Sequence, residues 1–193
     1  MREVINKNNI IIVKQFDRDD FINKPELMNE SMNTILASYE SNNEQYNETQ
    51  AMELLNGFNS DFFIDEDNNG KMYILYIRET SNGYLMPISF VIYSKSNLEK
   101  SQHVEYITTH SDYTSCGYGE YLLTQSAKDL AKLGYKNITS IVYKDNQASH
   151  RMHQRFCKDN NISLIVDNVD FRKEYIMNIE HINTKSIDDE QIL

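Results

Sequence analysis

The chain has 193 residues, 40% hydrophobic and 25% charged, and 29 acidic against 19 basic side chains give it a net charge of −10. That length suits one domain with a real core, and no apolar run approaches the roughly 20 residues of a membrane span. The acidic balance argues against a nonspecific grip on nucleic acid, which needs a basic face; it suits a cationic partner or a surface that is merely soluble.

Ile10 to Phe16 reads as a strand. The residues before it carry no apolar signal core, so cytoplasmic residence is the expectation. Asp19 to Tyr39 holds Phe21, Ile22, Leu27, Met28, Met32, Ile35 and Leu36 at helical spacing. Pro25 sits either in a helix's first turn or between two short helices. Glu40 to Glu48 is polar loop, and Thr49 to Phe58 is a further helix bounded by Gly57. Asp65 to Gly70 is an acidic turn. Its Asp and Asn content invites a calcium reading, but the twelve-residue ligand pattern ending in Glu is missing, and no metal is expected. Lys71 to Arg78 and Tyr84 to Tyr93 read as a hairpin through Ser81-Asn82-Gly83. Val104 to Thr109 is the next strand.

The turn Thr114-Ser115-Cys116-Gly117-Tyr118-Gly119 follows, and Glu120 to Leu133 is strongly helical. A strand that turns through two glycines into a helix builds an anion site. The backbone N–H groups come close to the ligand, and the helix end adds about half a positive charge. Gly134 is placed to stop the helix in a left-handed cap. Asn137 to Tyr143 is a β-branched strand, and Asp145-Asn146 opens a helix with Ala148, Met152 and Phe156 spaced four apart on one face. Ile162 to Val166 and Phe171 to Ile179 are strands, and residues 183–193 form a polar, loose tail. Cys116 and Cys157 make neither a metal spacing nor a disulfide framework.

Over about residues 100 to 160 the chain resembles the GNAT superfamily of acyl-coenzyme A-dependent N-acyltransferases. The family signature Arg/Gln-x-x-Gly-x-Gly/Ala is matched by Thr114 to Gly119, with Thr114 in the first place. The second signature is a strand ending near an Asn, with a small residue three on and often a Tyr seven on; here these are Asn146, Ser149 and His153. Outside that block the resemblance rests on element order. It implies an α/β (α+β) fold with a mostly antiparallel central sheet of six to seven strands, a parallel central pair and about four flanking helices, in one domain over residues 1–182. It also implies transfer of an acetyl group from acetyl-CoA to a primary amine by direct attack in a ternary complex, in a monomer or homodimer.

In the family the pantetheine arm lies between splayed fourth and fifth strands, and the pyrophosphate sits on the glycine turn. The resemblance therefore assigns backbone contacts to Ile107, Thr108 and Thr109. It assigns the pyrophosphate to the N–H groups of Ser115, Cys116, Gly117, Tyr118, Gly119 and Glu120, and further cofactor contacts to Asn146 and Ser149. Thr114 lacks the reach and charge of Arg or Gln, so weaker cofactor affinity is expected. His103 and Glu105 lie two apart on a strand and face the same way. Family members place a general base here. Glu105 would need its pKa raised by burial, whereas an unperturbed imidazole already titrates near about 6.5. His153 stands where the family has its proposed acid for the departing thiolate, with Tyr143 and Tyr175 as alternatives. Arg151 and Arg155 either reach the cofactor's 3′-phosphate or solvate their helix. Cys116 sits where a helix end can lower a thiol pKa, but no base partner is indicated. The net charge, with Asp61, Asp65, Glu66 and Asp67, suggests a cationic acceptor, a polyamine-like compound or a protein amine.

Two other readings stand beside this one. A degenerate GNAT-like module would bind acyl-CoA without turnover. An unrelated α/β nucleotide binder would need a mostly parallel sheet, against the hairpin at Asn82-Gly83.

Overall fold

The computed structural model describes residues 9–38, 57–79 and 83–184. The helix expected over 49–58, but for its last two residues, lies outside them. So do Ser81 and Asn82 of the hairpin turn and the tail from 185 on.

Seven strands form one mixed sheet in the order β1-β2-β3-β4-β5-β7-β6. They are β1 (Asn9–Phe16), β2 (Lys71–Glu79), β3 (Leu85–Lys95), β4 (Ser101–Thr109), β5 (Asn137–Tyr143), β6 (Ser163–Val169) and β7 (Arg172–Asn178). Among the described residues five helices accompany them: α1 (Arg18–Asn23), α2 (Pro25–Ala37), α3 (Ser60–Ile64), α4 (Tyr118–Lys132) and α5 (Gln147–Asp159). The pairs β1–β2, β2–β3, β5–β7 and β6–β7 are antiparallel, and β4–β5 is parallel. This is the mixed architecture expected from the sequence. The packing falls into two units, Met1–Lys95 with Glu105–Leu122, and Ser96–Val104 with Leu123–Leu193.

In the first unit, Pro25 both separates α1 from α2 and occupies the first turn of α2. Asp17 caps α1 in a reciprocal box with Asp20. The buried face of α2 runs Met28, Ser31, Met32, Ile35 and Leu36, the i, i+3, i+4, i+7 stripe of an amphipathic helix. It joins Phe16, Phe21, Phe63, Met72, Ile74, Tyr76, Phe90 and Ile92 in one core. Phe21 and Phe63 stack with ring centroids 3.7 Å apart. The short helix α3, which supplies Phe63, has too few turns to show a period in the sequence.

Between β2 and β3 the register slips: Leu75 faces Ser89 but Tyr76 faces Pro87, so Ile88 is the extra residue of a bulge. Pro87 has no N–H to donate to a ladder, and a bulge is where a strand interior tolerates it. The bulge aims the Ile88 carbonyl at the N–H of His110, 2.7 Å away.

In the second unit, β4 pairs with β5 from Ser101↔Asn137 to Val104↔Ser140, and β4 runs on to Thr109. Along β5, Ile138, Ser140 and Val142 are buried while Ile141 and Tyr143 are exposed, the alternation of a strand with one covered face. Gly134 ends α4 as expected: at φ +90° it lets Tyr135 N donate to Leu130 O (3.1 Å) and its own N–H to Ala131 O (3.0 Å). Asn161, at φ +53°, does the same after α5, where Ile162 N donates to Cys157 O at 2.8 Å.

Candidate active site

The first unit carries the glycine turn. Where β4 ends, Ser89 Oγ donates to Thr108 O (2.6 Å) and lies 3.1 Å from Thr109 Oγ1. A 3-10 turn, Ser111–Tyr113, follows the buried His110. It is tied to the end of α2: Ser38 Oγ accepts from Ser111 N (2.9 Å), and Ser111 Oγ donates to Ser38 O (2.7 Å). Thr114 Oγ1 donates back to Ser111 O at 3.0 Å. The threonine at the signature's first place thus closes the loop onto itself.

Ser115 then takes φ +62° and Gly117 φ +88°. A left-handed non-glycine residue costs about 1–2 kcal/mol, and such strain concentrates where function holds it. Left-handed residues in a turn bring successive N–H groups to one side, the concave arrangement that receives anions. Tyr121 N donates to Gly117 O at 2.9 Å, closing the first turn of α4. The helix begins at Tyr118, two residues before the run read from the sequence, so Tyr118 and Gly119 belong to its positive end. Tyr118 is buried against Tyr113. That burial raises its hydroxyl pKa, and Cys116 and Tyr113 add to the rise. Cys116 is exposed.

Glu105 is exposed rather than buried, and Ser94 Oγ on β3 donates to its carboxylate at 2.5 Å. His103, half-buried, sets Nδ1 2.9 Å from Thr139 Oγ1, which lies 3.2 Å from Ser96 Oγ.

The second unit holds Asn146, Ser149 and His153. Asn146 caps α5 by accepting from Ser149 N at 3.0 Å. The buried face of α5 is His150, His153, Phe156 and Cys157, not the Ala148–Met152–Phe156 stripe expected: Ala148 is exposed and Met152 half-buried. Apolar spacing misled because two histidines take the core positions. His153 Nδ1 lies 2.8 Å from Ser149 O, and a carbonyl only accepts, so Nδ1 carries the proton. Burial lowers the His153 pKa, and the Ser149 bond opposes that only in part. The neutral ring therefore holds its lone pair on Nε2, which is buried without a partner. His150 Nδ1 meets Tyr175 OH at 2.6 Å, and the His153 ring stacks on Tyr175 at 5.1 Å. Tyr175 is 1% exposed and burial raises its pKa, whereas Tyr143 is 60% exposed and stacks on Phe171. Burial pushes the Cys157 thiol up to about 12, which makes it inert. Arg151 and Arg155 are exposed.

The buried imidazole has a consequence for stability. As pH falls below about 6.5 the unfolded chain takes up a proton that His153 in the folded state resists. Stability is therefore expected to be complete above that pH and to fall below it, towards the lowered pKa of the folded state. Thermal melts across that range should show the loss, and His153→Phe, which keeps a ring against Tyr175, should reduce it.

Sequence reading missed the His150–Tyr175, Ser94–Glu105 and Ser38–Ser111 contacts, which join residues 25, 11 and 73 positions apart. The spacing of His150, His153 and Cys157 on one helix face was the available signal for the first. A surface cavity of about 390 Å³ in the first unit is lined by Asp17, Asp19, Asp65 and Glu66, with Arg18, Lys71 and Phe63 among the other residues. Asp17 and Asp65 accept backbone N–H groups, and Arg18 pairs with Glu66. Asp61 and Asp67 are not in its lining. Among the described residues no cluster of ligands suits a metal, and no helix is long and apolar enough to cross a membrane.

The family model for the acetyltransferase (GNAT) family matches residues 31–158. No curated protein matches the chain. Solved structures do. The PaiA N-acetyltransferase from Thermoplasma acidophilum, in complex with coenzyme A, is 15% identical with a TM-score of 0.54, over 88% of this chain and 98% of that one. The ribosomal-protein-S18-alanine N-acetyltransferase from Escherichia coli is 14% identical with a TM-score of 0.51, over 92% and 99%. An acetyltransferase of the GNAT family from Streptococcus pneumoniae is 15% identical with a TM-score of 0.51, over 88% and 98%. At these identities the structural likeness is one of fold.

Proposed function

The chain belongs to the acetyltransferase (GNAT) family, and from that premise we propose that it transfers an acetyl group from acetyl-CoA to a primary amine. The observation that carries the reading is the turn of left-handed Ser115 and Gly117 opening the 15-residue helix α4. Its N–H groups, from Ser115 to Glu120, suit a pyrophosphate. The backbone of Ile107 to Thr109 receives the pantetheine arm, and Asn146 and Ser149 add contacts at the start of α5.

In the reaction the amine nitrogen attacks the thioester carbonyl. A C–N bond forms, the C–S bond breaks, and the amine's proton leaves to a base while the thiolate gains one. Glu105 is the proposed base, with His103 two residues upstream on the same strand as the other candidate. For the acid, the exposed Tyr143 is better placed to meet a ligand than the buried, neutral His153 or the buried Tyr175. The acceptor is proposed to be cationic, in keeping with the net charge of −10.

Initial rates with acetyl-CoA and amine both varied test the mechanism. Intersecting patterns, with turnover retained in Cys116→Ser, are expected of direct attack; parallel patterns would indicate an acyl-enzyme and contradict it. For a polycationic acceptor kcat/KM should fall as salt rises, and a flat response would remove the cationic preference. A second reading, binding of acyl-CoA without turnover, draws on Thr114 and the burial of His153; it predicts coenzyme A binding with no product from any amine.

A further inference from the structure

His103 on β4 and Thr139 on β5 are partners in the parallel register. Their side chains meet, with His103 Nδ1 2.9 Å from Thr139 Oγ1, and Thr139 Oγ1 lies 3.2 Å from Ser96 Oγ. Ser96 stands in the turn between β3 and β4, where its Oγ accepts the N–H of Leu98 at 3.2 Å. All four residues belong to the second unit. The chain they form has a direction, because each hydroxyl has one proton to give. Ser96 Oγ already accepts from a backbone N–H, and it gives its own proton to Thr139. Thr139 in turn gives its proton to the ring, so every proton in the chain has an acceptor. The reverse order starts from a proton on Nδ1 and leaves the Ser96 hydroxyl proton without an acceptor among the described residues.

A neutral imidazole whose lone pair is on Nδ1 carries its proton on Nε2. That tautomer is wrong for a base: Thr139 takes the one lone pair, and the other nitrogen can only donate. His153 is set the opposite way, since the Ser149 carbonyl draws its proton to Nδ1. We propose that Ser96 and Thr139 are positioning residues that hold His103 as a hydrogen-bond donor. Its Nε2–H steadies the thioester oxygen as that atom gains negative charge, and the amine's proton goes to Glu105. A donor fixed before the reaction strengthens as charge develops on its acceptor and needs no reorganisation at that moment. The tautomer stands on the geometry alone; its use in the reaction rests on the acyl-transfer reading.

The tautomer is read without turnover, by long-range proton–nitrogen correlation spectra of the isotope-labelled full chain. Above pH about 8 an ordinary imidazole is neutral, and His103→Gln assigns the signals by deleting them. His103 should show an unprotonated Nδ1 and a protonated Nε2. Thr139→Val keeps the shape and drops the hydroxyl. It should move both signals towards the other tautomer and lower kcat about fivefold, the worth of one hydrogen bond. Thr139→Ser should restore both readouts. His103→Leu should lower kcat about a hundredfold, as loss of an oxyanion donor does. His103→Gln keeps an N–H and should lose less, and neither variant should alter the acidic limb of the pH–rate profile. A proton on Nδ1 in the unaltered chain, spectra indifferent to Thr139→Val, or an acidic limb lost in His103→Gln would each overturn the proposal. The expected spectra with no product from any amine would keep the tautomer and remove the catalytic role together with the acyl-transfer reading.

Discussion

Replacing Gly117 with glutamate is expected to lower affinity for coenzyme A at least about a hundredfold. Two costs add. Gly117 sits at φ +88°, where a side chain is strained by about 1–2 kcal/mol. A carboxylate there also opposes a pyrophosphate at the helix end, whose partial positive charge favours anions. At up to about 2 kcal/mol each, the two together reach the roughly 2.8 kcal/mol that a hundredfold represents. A Cβ at this position meets nothing within 4 Å, so the variant should still fold. Gly117→Ala separates the two costs: it carries the backbone strain without the charge and should lose about tenfold. Isothermal titration with coenzyme A reads both variants. Binding by Gly117→Glu equal to that of the unaltered chain would remove the turn from the cofactor site.

The second large effect concerns the base. Glu105→Gln keeps the shape of the side chain and its contact with Ser94 but cannot accept a proton. Turnover should fall at least about tenfold, with the acidic limb of the pH–rate profile altered and the KM for acetyl-CoA little changed. If His103 is the base instead, His103→Gln shows that pattern and Glu105→Gln does not. Ser94→Ala should lower turnover without abolishing it, because Ser94 only holds the carboxylate. Retention of full turnover and an unchanged profile by both Glu105→Gln and His103→Gln would rule out direct base catalysis by this pair.

What the sequence disclosed, and what it hid, follows from the range of the interactions. Caps are local: Gly134 and Asn146 each carry their instruction within a few residues and act as expected, whereas the helix expected from Glu120 already starts at Tyr118 and takes in Gly119. The continuous apolar runs of β2 and β3, the alternation of β5 and the stripe of α2 are also short-range patterns. Longer-range facts were hidden. Nothing near Glu105 reports that it is exposed or that Ser94 reaches it. Nothing near Thr114 reports that its hydroxyl bonds Ser111. The stripe of α5 misled for a different reason: His150 and His153 are polar by type but buried, one bonded to Tyr175 and the other stacked on it, and a hydropathy period counts them as surface. The bulge at Ile88 left only Pro87 as a trace.

Acyl transfer itself is tested most directly by mass spectrometry of the purified chain incubated with acetyl-CoA and a panel of primary amines, including polyamines and lysine-bearing peptides. The account predicts an amine heavier by one acetyl group and an equal amount of free coenzyme A, both lost in Gly117→Glu. Coenzyme A that binds, with no acetylated product from any amine and acetyl-CoA left intact, would contradict it.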